Sequence, residues 1–209
     1  CVSDRSIPVK TAPMPSKALF HSDATLLSDN AAAIYRHVVG SVNYLVRCTR
    51  YDIGYAVSRL SSKMGAPDMG AWKAMLQLLG YLRGSVDFRI GGVFGGGVDS
   101  FRFYVDSDHC SDSFHTTRSQ TGYIVFLNGF PVSWASRRQP VTAVSPAEAE
   151  VYAMSEGVIA GRLVQWVAEE MAIQVQWPIT VFSDSTQAVS FQKATAPNSK
   201  LRRVFDMRE

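Results

Sequence analysis

Cysteine is scarce in this chain of 209 residues: Cys1, Cys48 and Cys110 are odd in number, far apart and free of any C-x-x-C pair. That pattern argues against a disulfide framework and against a zinc site, and a reducing intracellular compartment is the simpler expectation. Long apolar runs are missing too, and no basic segment followed by an apolar stretch opens the chain, so neither a membrane span nor a signal peptide is predicted. Charge of one sign is also in short supply. With 21 Lys/Arg against 18 Asp/Glu the net charge is +3, a lean towards polyanionic partners too mild to choose one. A starting methionine is absent as well; the opening on Cys1 and the end at Arg208-Glu209, with no turn or tail, lead us to expect a fragment.

What the chain does have is enough apolar residues, 46% of the total, to bury one large or two small cores. Its charge is unevenly placed: residues 1–99 carry 11 basic against 7 acidic side chains, and residues 100–209 carry 10 against 11. Residues 1–30, with Pro8, Pro13 and Pro15 among Ser, Thr and Asp, read as an extended surface lead-in. Residues 31–97 read as a small helical unit. Ile34, Val38, Val42 and Leu45 recur at helical spacing behind a cap at Asp29 or Asn30; Asp52 to Leu60 and Met69 to Leu82 repeat the pattern. Five glycines between Gly91 and Gly97 then break all periodicity. No Lys-Ser/Thr follows them and no helix opens from them, so a hairpin or hinge is the better reading than a phosphate loop.

From residue 98 the period changes to strict alternation. Phe101, Phe103 and Val105 share one face of a strand ending at Asp106, and Gly122 to Leu127 and Phe130 to Ser136 flank the hairpin signal Asn128-Gly129. Ser145-Pro146 with Glu148 announces a helix in the capping-box pattern, running to about Met171. A strand from Ile179 to Phe182 and a helix from Ser185 to Gln192 complete the order β-β-β-α-β-α, a mixed-sheet α/β domain.

If the first and fourth strands are neighbours, Asp106 and Asp184 emerge at one sheet edge, with Glu150 in the first turns of the helix crossing it. Three converging carboxylates repel one another unless a cation compensates, and Mg²⁺ or Mn²⁺, which prefer oxygen ligands, are the natural choice. Simpler roles compete: Asp184 as a helix cap, and a Glu near a helix N-terminus serving the dipole, a description that fits Glu148 better than Glu150.

The segments Tyr104-Val-Asp106-Ser-Asp108, Thr117-Arg-Ser-Gln-Thr-Gly-Tyr123, Val132-Ser-Trp134, Ser145-Pro-Ala-Glu-Ala-Glu150 and Phe182-Ser-Asp184-Ser closely resemble, in order and spacing, the ribonuclease H region of copia-type retrotransposon polyproteins. Upstream, Tyr35 to Leu45, Thr49 to Val57 and Trp72 to Gly84 resemble the C-terminal end of the same polyprotein's reverse transcriptase. The resemblance covers residues 30 to 206. It implies a ribonuclease H-like fold over 98–209, C-terminally truncated, that cuts the RNA strand of RNA/DNA hybrids with two Mg²⁺ or Mn²⁺ ions. It also implies a thumb- or connection-like role for residues 31–97, a partner in the reverse-transcriptase portion, and a place in a cytoplasmic virus-like particle or the nucleus. The family's catalytic and metal-binding acids map to Asp106, Glu150 and Asp184; Glu150 is chosen over Glu148 because Val151-Tyr-Ala153 follows it. Asp108 is the neighbouring acid.

Two departures stand out. His109-Cys110-Ser111 replaces the family's Trp-Ala-Gly, and a His beside a hard-cation site is expected to make local hydrogen bonds rather than ligate. The chain also stops before the family's last strand and fourth acid; Asp206 matches a different segment. A catalytically silent nucleic-acid-binding or assembly module is therefore the alternative function, while a metabolic enzyme finds no cofactor motif. For gripping an A-form-like hybrid through phosphates and 2′-hydroxyls, the substrate-binding candidates are Arg118, Ser119, Arg137 and Arg138, with Arg202-Arg203 more simply a solvated patch. Trp72, Trp134 and Trp166 fall in apolar-periodic segments and are expected in the core.

Overall fold

The computed structural model describes residues 7–16, 20, 23–91, 101–109, 117–173 and 180–185. The chain divides into two compact units, Cys1–Arg89 and Ile90–Glu209.

In the first unit, α1 (Asp29–Cys48), a 3-10 turn (Tyr51–Ile53), α2 (Gly54–Ser61) and α3 (Met69–Gly84) surround one apolar cluster that includes Tyr35, Val39, Val42, Ile53, Leu60, Met75 and Leu78. Fully burying side chains such as Leu60 and Leu78 (each 1% exposed) contributes roughly 1.5–3 kcal/mol apiece. The face of α1 differs from the expected one. Its buried residues are Ala32, Tyr35, Val39 and Val42, whereas Ile34 and Leu45 are exposed. Tyr35 turns the helix, since its ring fills the core while its hydroxyl donates to the Leu60 carbonyl (2.8 Å). The cap is Ser28, so Asp29 lies in the first turn, where its charge still favours the helix dipole. Asp68 caps α3, accepting from the Ala71 amide at 2.8 Å. Trp72 is partly buried against the cluster. Residues 7–16 lie along α3: the Lys10 amide donates to the Gly80 carbonyl at 3.2 Å, and a Cβ at Gly80 would run into the Pro8 carbonyl.

The second unit is a mixed four-stranded sheet of order β3-β2-β1-β4, with β1 Phe101–Asp108, β2 Gln120–Leu127, β3 Phe130–Arg138 and β4 Thr180–Phe182. β1 pairs antiparallel with β2 and parallel with β4. The β2–β3 turn places Asn128 and Gly129 at φ 50° and 83°, the positive pair that matches the twist of a tight hairpin. α4 (Pro146–Glu170) lies over the face carrying Phe101, Phe103 and Val105. Gly157 and Gly161 allow the approach, because a Cβ at either would strike Val105 or the Phe103 ring.

Three details correct the sequence expectation. β1 does not stop at Asp106 but continues to Asp108, with Ser107 opposite Thr121 and Asp108 opposite Gln120. Ser145 caps α4 as expected, accepting from the Glu148 amide at 3.2 Å, but the Glu148 carboxylate accepts from the Val144 amide (2.7 Å), one residue before the cap, to which a capping box would bind it. Trp166 is 55% exposed rather than core. Its helix is apolar on both sides, so periodicity could not choose the buried face; the sheet takes the small residues Gly157, Gly161 and Ala168 and leaves Ile159, Leu163 and Trp166 outside. Trp134 is partly buried. Most of the glycine-rich stretch, the helix expected from Ser185 to Gln192, Arg202-Arg203 and Asp206 lie outside the described residues.

Candidate metal centre

The parallel pairing of β1 with β4 brings the site together. Tyr104 sits opposite Phe182, and their rings stack at 4.9 Å and 14°, fixing the register in which Asp106 and Asp184 each follow two residues on. Glu150 approaches from the second turn of α4, past Ser107. One carboxylate oxygen from each of Asp106, Glu150 and Asp184 lies within 4.8 Å of the others. Asp106 and Asp184 are exposed and Glu150 is half-buried.

The electrostatics of the cluster are strained in one direction. Burial pushes the Asp106 carboxyl above its ordinary value, and Asp184 and Asp108 add to the rise. Glu150 is raised by burial first and by the charges of Asp106 and Asp184, with Ser107 acting in the opposite sense. Its Oε2 is buried with no hydrogen-bond partner, a costly condition for a carboxylate oxygen. Three converging carboxylates, of which Asp106 and Glu150 are raised by burial and by acidic neighbours and one carries an oxygen without a hydrogen-bond donor, fit a hard divalent cation, which would relieve both defects.

The other expected residues are placed differently. Arg118 and Arg138 are exposed. Arg137 is also exposed, and its guanidinium donates two bonds to Glu156, at 3.0 and 3.2 Å. Ser119 lines no surface: it is 0% exposed, and its hydroxyl meets His109 Nδ1 at 3.2 Å. Ser119 lies just before β2, in a buried run with Gln120 and Thr121, and its carbonyl accepts from the Gln139 amide at 2.8 Å, a setting that a motif resemblance cannot register. His109 therefore bonds locally. Gln139, a wholly buried amide behind the site, carries no signal in the sequence, because it follows two arginines that can each be read as ordinary solvated surface charges.

A mixed α/β domain with a three-carboxylate cluster at its sheet edge is thus the class that fold and site define. No protein-family model and no solved structure matches the chain. Among curated proteins it is 32% identical over 202 residues to the retrovirus-related Pol polyprotein from transposon RE2 of Arabidopsis thaliana, covering 94% of this chain and 13% of that protein. To the corresponding polyprotein from transposon TNT 1-94 of Nicotiana tabacum it is 31% identical over 173 residues, 81% of this chain and 12% of that protein. It is also 34% identical over 122 residues to secreted RxLR effector protein 161 of Plasmopara viticola, 58% of this chain and 84% of the effector. The chain belongs to the family of these proteins and is homologous to retrotransposon Pol polyproteins, of which it spans about an eighth. Among the described residues no helix is long and apolar enough to cross a membrane.

Proposed function

We propose that residues 98–209 are a ribonuclease H-like domain, and residues 31–97 the end of the reverse transcriptase, of a copia-type polyprotein. In this reading Asp106, Glu150 and Asp184 hold two Mg²⁺ or Mn²⁺ ions for hydrolysis of the RNA strand of RNA/DNA hybrids. The observation that carries it is the convergence of those three carboxylates within 4.8 Å. When bound, such ions supply Lewis acidity that makes a water nucleophilic and stabilises the leaving oxygen. The chain's own groups do the rest. Asp106 and Asp184, being exposed, lie open to an incoming phosphodiester, while half-buried Glu150 closes the floor. Arg118, Arg137 and Arg138 offer positive charge to phosphates; Arg137 is held in one orientation by Glu156, so less side-chain freedom is lost on binding. Ser119 serves indirectly, by seating His109. The working place is intracellular, in a virus-like particle or the nucleus, beside the polymerase portion of the polyprotein.

The test is cleavage of an end-labelled RNA/DNA hybrid with Mg²⁺ or Mn²⁺, comparing the chain with Asp106→Asn. Loss of a ligand that supplies several kcal/mol of transition-state stabilisation predicts a fall of roughly a thousandfold. Equal cleavage by both would falsify the assignment. A second reading, a binding or assembly module without turnover, draws support from the kinship with a protein named as a secreted effector rather than as a polyprotein. Its mark is hybrid binding that weakens as salt rises, with no product in either metal.

A further inference from the structure

Behind the carboxylates lies a buried polar bracket. Gln139, the residue after β3, is 1% exposed, and Thr121, Ser119 and Ala149 around it are each 0% exposed. Its backbone amide donates to the Ser119 carbonyl at 2.8 Å. Its side-chain Nε2 donates twice, to Thr121 Oγ1 at 3.1 Å and to the Ala149 carbonyl at 2.9 Å. A carbonyl can only accept, so the amide orientation is fixed by chemistry. Ala149 immediately precedes Glu150, and Thr121 stands opposite Ser107, the neighbour of Asp106, in the β1–β2 register. One side chain therefore ties the helix turn that carries Glu150 to the strand pair that carries Asp106. Close by, Ser107 Oγ, Gln139 Oε1 and Glu150 Oε2 are all buried without partners. Ser107 is the residue that acts on the Glu150 carboxylate by hydrogen bonding, and with Oε2 unpartnered the backbone beneath Glu150 shares in setting its position.

We propose that Gln139 is a positioning residue for the metal-binding carboxylate of Glu150. This rests on the metal-centre reading given above. Groups that orient a ligand without touching the ion typically change metal affinity by tens of times rather than abolish it.

The experiment measures Mn²⁺ affinity of the full chain by electron paramagnetic resonance, with thermal melting as a control on folding. Gln139→Met keeps length and apolar packing while removing both donors, and Ala149 retains its place in the helix. It is expected to weaken Mn²⁺ binding about tenfold. Glu150→Gln weakens binding by its own larger factor. In the double variant the Gln139→Met effect should vanish, because a residue acting through Glu150 has nothing left to position. A loss that persists unchanged in the Glu150→Gln background means general structure and overturns the proposal, as does unaltered affinity in Gln139→Met. Should Gln139→Met fail to fold, Thr121→Val removes one anchor isosterically and enters the same cycle, with a smaller weakening expected. If the unaltered chain binds no Mn²⁺, or Glu150→Gln changes nothing, the metal-centre reading itself fails and the positioning role falls with it. Intact Glu150-dependent binding with a silent Gln139 removes only the latter.

Discussion

The two units bury their residues to different ends. The first has one continuous apolar cluster, and its buried polar groups are answered: Asp68 by Lys63 and by the Ala71 amide, Ser85 by Arg50 and Tyr81. The second splits its apolar core into two small clusters and buries Ser119, Gln120, Thr121, Gln139 and Gln165 beside them. Every buried polar side-chain atom found without a partner among the described residues, on Ser107, Gln139, Glu150 and Gln165, lies in this second unit. Polar satisfaction is normally close to complete in a folded protein, and three of these four atoms, on Ser107, Gln139 and Glu150, belong to the carboxylate cluster and the residues behind it. The first unit meets its buried polar groups internally; in the proposed reading, a cation would meet those around Glu150 in the second.

Side-chain volume should break that comparison most sharply. Leu78→Ala opens the first unit's core at a residue 1% exposed, and it should cost about 2–5 kcal/mol. Gly161→Ala in the second unit places a methyl into the Phe103 ring, for which about 1–3 kcal/mol of overpacking is expected. Amide hydrogen exchange separates the two: the first variant should speed exchange in α1 and α3, the second in α4 and β1. Identical exchange patterns in both variants would show that the division into two units has no energetic meaning.

The sequence made the second unit's strands legible because alternation and Asn128-Gly129 are local signals, and it made the three acids legible because the motifs set Asp106 and Asp184 two residues beyond Tyr104 and Phe182, which pair across β1 and β4, even though β1 runs on past Asp106. It misjudged whatever depends on three-dimensional partners. The face of α1 was set by Tyr35 reaching the Leu60 carbonyl, a contact across 25 positions. Trp166 went outwards because two glycines let α4 settle on its other side. Ser119, expected as a substrate contact, and Gln139, which no motif singles out, are both buried, with partners 10 and 18 residues away. Periodicity reports that an element has an apolar side, not which of two sides a neighbour will take.

Metal should act on one unit alone. A divalent ion that binds only the folded cluster stabilises it by about 2.7 kcal/mol at a concentration a hundred times its dissociation constant. Added Mg²⁺ should therefore slow exchange in α4 and β1, leave α1 and α3 unchanged, and lose its effect in Asp184→Asn. Protection that spreads equally over both units, or survives in that variant, would point to non-specific binding.

Acid supplies the smallest and most diagnostic effect, because the two units should respond with opposite sign. Burial raises Asp52 in the first unit, but hydrogen bonds from Arg50 and Tyr81 and the Arg50 charge outweigh it and hold the carboxyl below its ordinary value. The unfolded chain then takes up the proton first, so the stabilisation is complete above the ordinary carboxyl range and drains as pH falls through the folded value. Asp106 and Glu150 are raised, by burial first and by neighbouring acids second. There the metal-free folded state takes up the proton first, so their contribution is fully present below the ordinary range and is lost as pH rises through the folded values. Compared with the unaltered chain, Asp52→Asn should lose stability at neutral pH and approach parity in acid. Metal-free Glu150→Gln should instead gain at neutral pH and approach parity in acid. Exchange rates of α3 and α4 amides at several pH values provide the measurement. A neutral-pH loss in metal-free Glu150→Gln matching that of Asp52→Asn would mean that the carboxylates are held by native partners rather than by want of a cation.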